Sequence, residues 1–239
     1  MHDACSTARE SSRIWSMRRK LSWCFGWVTR AAVSLAAFSA TVATAQMPGA
    51  PVLQNAWVTP GGVGAVNFAS GNEGTVLAAA ASWSAASGRF GLSGGFGSRH
   101  VTSIGSRSVY GVRLAIPFGG QASNLGFAVF AGAGGTSGTT AADSTHSKSE
   151  VPVGASIGWR RALGATRGLS IYASPSYLFL SGGAKSGGLV RGAAGVDVGL
   201  SKSLGLTAGA DFGQTRSKAL GGPNGAVFGV GLAYAFGHR

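Results

Sequence analysis

The chain is poor in acidic residues and in cysteine. It carries 7 Asp+Glu against 20 Lys+Arg in 239 residues, a net charge of +13. So few acids exclude an acidic disordered chain and disfavour a charged helical bundle or coiled coil. Both cysteines, Cys5 and Cys24, lie in the first 45 residues. The rest of the chain therefore has no disulfide framework, no thiol nucleophile and no cysteine-based metal site.

Long apolar runs are also missing after residue 45, where no glycine-poor, uncharged stretch is long enough for a membrane-spanning helix. Glycine, in contrast, is abundant: its 41 residues are about 17% of the chain, against an average near 7%. No G-X-Y period accompanies the glycine, which excludes collagen. The excess needs another structural explanation.

The first 45 residues have the parts of a secretory signal peptide. Arg18, Arg19, Lys20 and Arg30 form a basic region, and an apolar run from 31 to 40 follows it. Ala43-Thr44-Ala45 then matches the small-x-small cleavage pattern. The apolar run is too short to span about 30 Å of hydrocarbon. We therefore expect export and cleavage before Gln46, with residues 46–60 as an N-terminal segment leading into the domain at 61–239.

Alternation of apolar and small residues with period two dominates that domain. In the last segment, Phe228, Val230, Leu232, Tyr234 and Phe236 alternate with glycine and alanine. Successive side chains of a strand point to opposite faces, so each run has one apolar and one small-residue face. Ten strands are predicted, at 62–69, 75–85, 89–98, 107–118, 124–134, 150–162, 168–180, 187–200, 204–213 and 225–236.

The pattern predicts an all-β fold, an antiparallel up-and-down transmembrane β-barrel of about ten strands, with eight as the alternative count. Each run is close to the 9–11 residues that cross a bilayer. A soluble β-sandwich also alternates, but its second face carries charged residues in water. Here that face is mostly Gly, Ala and Ser, with only a few charges. Alternate connections also divide into a short set and a generally longer set, and aromatic residues fall near strand ends.

With the signal ending Ala43-Thr44-Ala45 and the closing strand from Val227 to Phe236, the chain resembles bacterial outer-membrane β-barrel proteins, in the broad class of small OmpA/OmpX-like and porin-like barrels. The resemblance implies a place in the outer membrane of Gram-negative bacteria. It also implies recognition of the last strand by the barrel-assembly machinery. In this chain Gly237, His238 and Arg239 follow the terminal aromatic residue, so that recognition signal is shifted inward.

Catalytic and metal-binding motifs are weak. Two segments that contain Ser93 and Ser156 match G-x-S-x-G, but neither precedes a plausible helix, as a nucleophile elbow requires. Asp143, His146 and Glu150 are close together, yet their loose spacing favours ordinary solvated polar residues. The sequence therefore predicts no catalytic residues, no metal site and no cofactor.

Charges on the small-residue face are more informative. Arginine facing lipid costs about 2–4 kcal/mol at the midplane, so this parity predicts that the charges face the lumen. The residues concerned are Arg113, Arg160, Arg191, Asp197 and Asp211. Arg191 and Asp211 are expected to pair across the 201–203 turn. These charges either stabilise a filled interior or line a narrow, weakly anion-selective pore.

A second basic set falls in or beside the connections predicted to be external. It comprises Arg99, Arg107, Lys148, Lys185, Arg216 and Lys218. Such a basic rim suits the phosphates of lipopolysaccharide, although solvated loop charge explains it equally well. Outer-membrane lipids are thus the expected partners. Nucleic acid is not an expected partner, because export removes the chain from it. The sequence also shows no basic helix that would bind nucleic acid.

The function expected from the sequence is a non-enzymatic outer-membrane barrel, either a structural surface protein or a narrow solute channel. An outer-membrane barrel enzyme and a soluble exported β-sandwich that binds a partner are the alternatives. The solute, the state of the lumen and the oligomeric state are open.

Overall fold

Ten strands make up the domain in the computed structural model. It describes residues 55–72, 74–101, 105–118, 123–136, 149–164, 166–181, 187–214 and 224–236. The expected leader and residues 46–54 lie outside these ranges. The strands are β1 (Gly61–Gly71), β2 (Gly74–Ser84), β3 (Gly91–Val101), β4 (Gly105–Phe118), β5 (Leu125–Thr136), β6 (Ser149–Ala162), β7 (Gly168–Ser181), β8 (Gly187–Gly199), β9 (Leu204–Gln214) and β10 (Asn224–Phe236).

Each strand pairs antiparallel with its neighbours in sequence, and β1 also pairs with β10. Gly62 lies opposite Phe236 at one end of this closing pair, and Gly71 lies opposite Val227 at the other. The sheet is therefore a closed barrel without free edges. The predicted all-β, ten-stranded antiparallel barrel is confirmed. The two-sheet sandwich is excluded, because all ten strands belong to one closed sheet.

The outer face of the barrel is a continuous apolar surface. Every strand exposes large apolar side chains, and one from each strand in order is Phe68, Leu77, Phe96, Leu114, Val129, Val153, Phe179, Val190, Leu206 and Val230. Water-soluble proteins rarely expose an apolar surface of this extent. Strands of 11–14 residues also suffice to cross a bilayer. The barrel is a transmembrane barrel by both criteria.

We call the end where β1 begins and β10 ends the terminal end, and the other the opposite end. Connections 85–90, 119–124, 163–167 and 200–203 lie at the terminal end. At the opposite end, connections 137–148 and 215–223 are long, but 72–73 and 102–104 are shorter than the sequence predicted. Gly74 and Gly105 have φ of +108° and +86°, and this left-handed backbone allows the strands to continue almost to the turn.

The interior is filled differently at the two ends. At the opposite end the strands themselves supply buried apolar clusters, of Ala69, Val76, Ala78, Val109 and Val227 and of Leu178, Leu180 and Leu189. At the terminal end, β1 and β10 contribute Val63, Ala233 and Ala235. Most of the remaining inward positions there are glycine and serine, which leave space for another part of the chain.

Among the described residues, no helix is long and apolar enough to span a membrane.

Candidate functional site: the barrel lumen

Residues 55–59, which we call the lumen segment, occupy the lumen at the terminal end. The segment precedes β1 and has no regular secondary structure. All five of its residues, Asn55, Ala56, Trp57, Val58 and Thr59, are between 1% and 7% exposed. The sequence predicted an N-terminal segment leading into the barrel at this position, but it did not predict that the segment lies inside.

Hydrogen bonds to a buried carboxylate hold the start of the lumen segment. Asn55 Nδ2 donates to Asp197 Oδ2 at 2.5 Å and to Ser170 Oγ at 3.0 Å. Ser170 Oγ in turn donates to Asp197 Oδ2 at 3.1 Å, and Thr207 Oγ1 donates to Asp197 Oδ1. Asp197 is 3% exposed. Its carboxylate therefore joins the segment to β7, β8 and β9 through neutral donors.

Three inward glycines make room for the side chains of the segment. A Cβ atom added at Gly126 would lie 2.5 Å from the Trp57 ring, and one at Gly158 would lie 2.6 Å from it. At Gly91 the Cβ would lie 2.5 Å from Val58 Cγ1. Carbon atoms in folded proteins do not approach this closely. Glycine is therefore required at these positions, because any Cβ atom there would clash with a side chain of the lumen segment.

Arg160 covers the indole of Trp57. Its Cζ lies 4.9 Å from the ring centroid, a cation–π distance, and its Nε donates to the Ser123 carbonyl at 3.2 Å. The side chain is half-buried on the inward face of β6. Arg160 and Asp197, both predicted to be lumen charges, contact the lumen segment, and Arg113 lines a small cavity together with the segment residues.

Arg113 lies deep in the lumen, 3% exposed. Its Cζ is 3.9 Å from the Phe130 ring centroid, and Nη2 donates to Ser156 Oγ at 3.5 Å. Ser156 Oγ is 2.7 Å from Ser174 Oγ. Nε is buried and makes no hydrogen bond within the described residues. The guanidinium is therefore stabilised by a ring face and hydroxyl groups, with no carboxylate bonded to it in the described part of the chain.

Arg191 and Asp211 form an ion pair between β8 and β9. Arg191 Nη2 lies 2.7 Å from Asp211 Oδ1, and Nε donates to the same oxygen at 2.8 Å. Nη1 also donates to the Gln214 carbonyl at 3.0 Å. The structure thus brings together the two residues for which the sequence predicted pairing. Their side chains are 9% and 11% exposed, which shields the pair from water.

The predicted basic rim has a different placement at two positions. Arg107 is 8% exposed and Arg99 is half-buried, and they lie opposite each other in β3 and β4. The prediction that Arg107 belongs to an exposed rim is wrong, because β4 begins at Gly105 and the arginine falls on its inward face. Lys148, Lys185, Arg216 and Lys218 lie outside the described residues.

Glu150 is a lumen charge that the sequence reasoning missed. It lies in β6 and is 1% exposed, although the sequence suggested a polar connection shared with Asp143 and His146. The latter two lie outside the described residues. Glu150 has the same period-two parity as the inward Ser156 and Gly158 of this strand, and that parity places it inside. The lumen segment left a weaker signal, namely inward glycines at 91, 126 and 158 near one end of their strands.

Neither G-x-S-x-G match adopts the geometry of a nucleophile elbow. Ser93 lies within β3 and Ser156 within β6, so neither occupies a strand-to-helix turn. Within the described ranges, no group of three His, Cys, Asp or Glu residues is arranged to hold a metal ion.

No protein-family model matches the chain, and no curated protein matches it. Among solved structures, it is similar to the N-terminal β-barrel domain of Pseudomonas aeruginosa OprF, with 10% identity and a TM-score of 0.36. The match covers 74% of this chain and 98% of that one. Likeness at this level carries no argument about function.

Proposed function

We propose that the chain is a non-enzymatic barrel of the bacterial outer membrane with a structural or surface role, closed to solutes by its own lumen segment. The observation that carries this proposal is the burial of residues 55–59 in the lumen. The apolar outer face supports the membrane location, since lipid is the solvent that suits it. Buried side chains of the strands pack in clusters in the opposite half, and we assign closure to the lumen segment in the terminal half.

Conductance in planar bilayers tests the closed lumen. The wild-type barrel is expected to give no ion-conducting steps. A variant with Asn55→Ala, Trp57→Ala and Val58→Ala loses the anchor and both packing groups of the segment, and we expect it to conduct. Trp83→Ala, on the lipid-facing surface, is the matched control and should remain silent. Equal conductance of wild type and triple variant would contradict the proposal.

A narrow, weakly anion-selective channel is the second candidate. It is favoured by Arg113, a buried cation to which no described carboxylate is bonded. If the wild-type barrel conducts, this candidate predicts a reversal potential that favours anions. Arg113→Ala and Arg191→Ala should then reduce the anion preference. Unchanged ion selectivity in both variants would contradict this candidate and would indicate that the lumen charges only stabilise the barrel.

Export and assembly complete the proposal. The signal ending at Ala45 predicts that the exported protein begins at Gln46, which N-terminal sequencing of the membrane-extracted protein tests. The resemblance to outer-membrane barrels suggests the barrel-assembly machinery and lipopolysaccharide as partners. Phe236→Ala is expected to lower the yield of inserted barrel.

The enzyme alternative predicts that the purified barrel hydrolyses lipid or peptide. If neither substrate class is hydrolysed, the enzyme alternative is contradicted.

A further inference from the structure

Four exposed cations surround the terminal end of the barrel. They are Arg89, Arg161, Arg167 and Lys202, which we call the terminal basic ring. None of them forms an ion pair with a described residue. Within the described ranges no acidic side chain is exposed at this end, since Asp197 is buried and bonded inside the lumen. The ring is therefore a surface of one sign of charge.

Aromatic side chains fix the depth of this ring in the membrane. Phe90 follows Arg89, and its ring centroid is 5.9 Å from that of Trp83, which is 52% exposed on the apolar face. Trp159 precedes Arg161 by two residues on the same outward face of β6. Tryptophan and phenylalanine at strand ends mark the boundary between hydrocarbon and headgroups. The cations next to them lie at headgroup depth.

We propose that the terminal basic ring binds the phosphate groups of anionic phospholipids in the leaflet at the terminal end. Guanidinium groups bind phosphate through charge-assisted, often bidentate hydrogen bonds. The cations belong to three separate connections, 85–90, 163–167 and 200–203, or to the strand ends beside them. This spread around the rim suits several lipid headgroups better than one compact acidic protein. The inference rests on the membrane location proposed above.

Tryptophan fluorescence can measure this lipid preference directly. The chain has six tryptophans, and replacing Trp15, Trp23 and Trp27 by Phe leaves Trp57, Trp83 and Trp159, all at the terminal end. The full-length variant is reconstituted in phosphatidylcholine vesicles that contain brominated phosphatidylglycerol or brominated phosphatidylcholine. Bromine quenches nearby indoles, so the two quenching curves give the relative binding constant of the two lipids.

We expect phosphatidylglycerol to be preferred about threefold or more at low salt. The preference should vanish at about 0.5 M NaCl, because salt screens headgroup attraction. Replacing Arg89, Arg161, Arg167 and Lys202 by Gln should abolish it. Replacing Lys148, Lys185, Arg216 and Lys218 by Gln removes the same charge from connections at the opposite end and should leave it intact.

The outcomes separate this inference from the proposed function. Absence of quenching by either brominated lipid would contradict the membrane location itself. Equal quenching by both lipids, or equal loss of preference in both quadruple variants, would overturn only the role of the ring. Binding of added poly-glutamate without any phosphatidylglycerol preference would also overturn it, by assigning the ring to an acidic macromolecule.

Discussion

The two halves of the lumen are filled by different means. In the opposite half, the strands carry their own valine and leucine clusters and the Arg191–Asp211 pair. In the terminal half, inward glycines and serines receive Trp57 and Val58 from outside the sheet. The same small-residue face of the sequence therefore has two roles. Some of its glycines lie among side chains of the strands that pack against each other. Others, such as Gly126 and Gly158, leave room for the side chains of the lumen segment.

The largest effect should come from removing the inserted indole. Trp57→Ala leaves a cavity in the terminal half, and truncation of a buried tryptophan costs about 3–5 kcal/mol. Urea titration in lipid vesicles measures the free energy of unfolding. Trp83→Ala is the control, because this half-exposed lipid-facing ring leaves no lumen cavity and should cost clearly less. Equal losses for both variants would contradict the predicted advantage of a lumen-buried ring over a lipid-facing ring.

Breaking the ion pair tests the opposite half. Arg191→Met leaves the Asp211 carboxylate buried without its cation, which is expected to cost about 3 kcal/mol. The double variant Arg191→Met, Asp211→Leu should recover most of that loss, because neither charge remains. Neither variant should open the lumen to ions. Conductance in the single variant would contradict the assignment of closure to the terminal half.

Asp197 connects the wall to the lumen segment, so its loss should have an intermediate effect. Asp197→Ala removes the common acceptor of Asn55, Ser170 and Thr207, and stranded buried donors are expected to cost about 2 kcal/mol. Combination with Asn55→Ala should be less than additive, because the two residues share a hydrogen bond. Strict additivity in unfolding titrations would indicate that this bond has no energetic role.

The smallest effect is the most specific. At Gly126 the three atoms nearest to an added Cβ all belong to Trp57, so Gly126→Ala should cost about 1–2 kcal/mol by overpacking. In a Trp57→Ala background the same substitution should cost almost nothing. Gly62→Ala is the control, since no atom lies within 4 Å of its added Cβ. If Gly126→Ala lowers the free energy of unfolding equally in the Trp57→Ala background, the loss arises from the backbone and not from a clash with the indole.

Strand number, order and closure could be predicted because period-two alternation is local and survives in every strand. The pairing of Arg191 with Asp211 followed from counting across one tight turn. Strand ends were less predictable, and a shift of two residues at the start of β4 was enough to misplace Arg107. Alternation along a strand predicts which face a residue occupies, but the geometry of the turn determines at which residue the strand begins.

The lumen segment could not be predicted in this way. Residues 55–59 have no alternation, and their partners are far away in sequence: Asn55 is separated by 115 residues from Ser170 and by 142 from Asp197. No pattern in the neighbouring sequence indicates that Asn55 bonds to a carboxylate more than a hundred residues away. The inward glycines indicated space in the lumen, but they did not indicate what fills it. Only the three-dimensional register of β3, β5 and β6 brings that information together.

The covalent connection of the lumen segment to β1 has a thermodynamic consequence. Only Pro60 separates Thr59 from the first residue of β1, so the segment binds its lumen site intramolecularly. Short tethers give effective concentrations on the order of millimolar. A free peptide of the same sequence would have to reach that concentration to compete. If the lumen segment closes the barrel as proposed, that closure is independent of protein concentration, because each molecule carries its own segment.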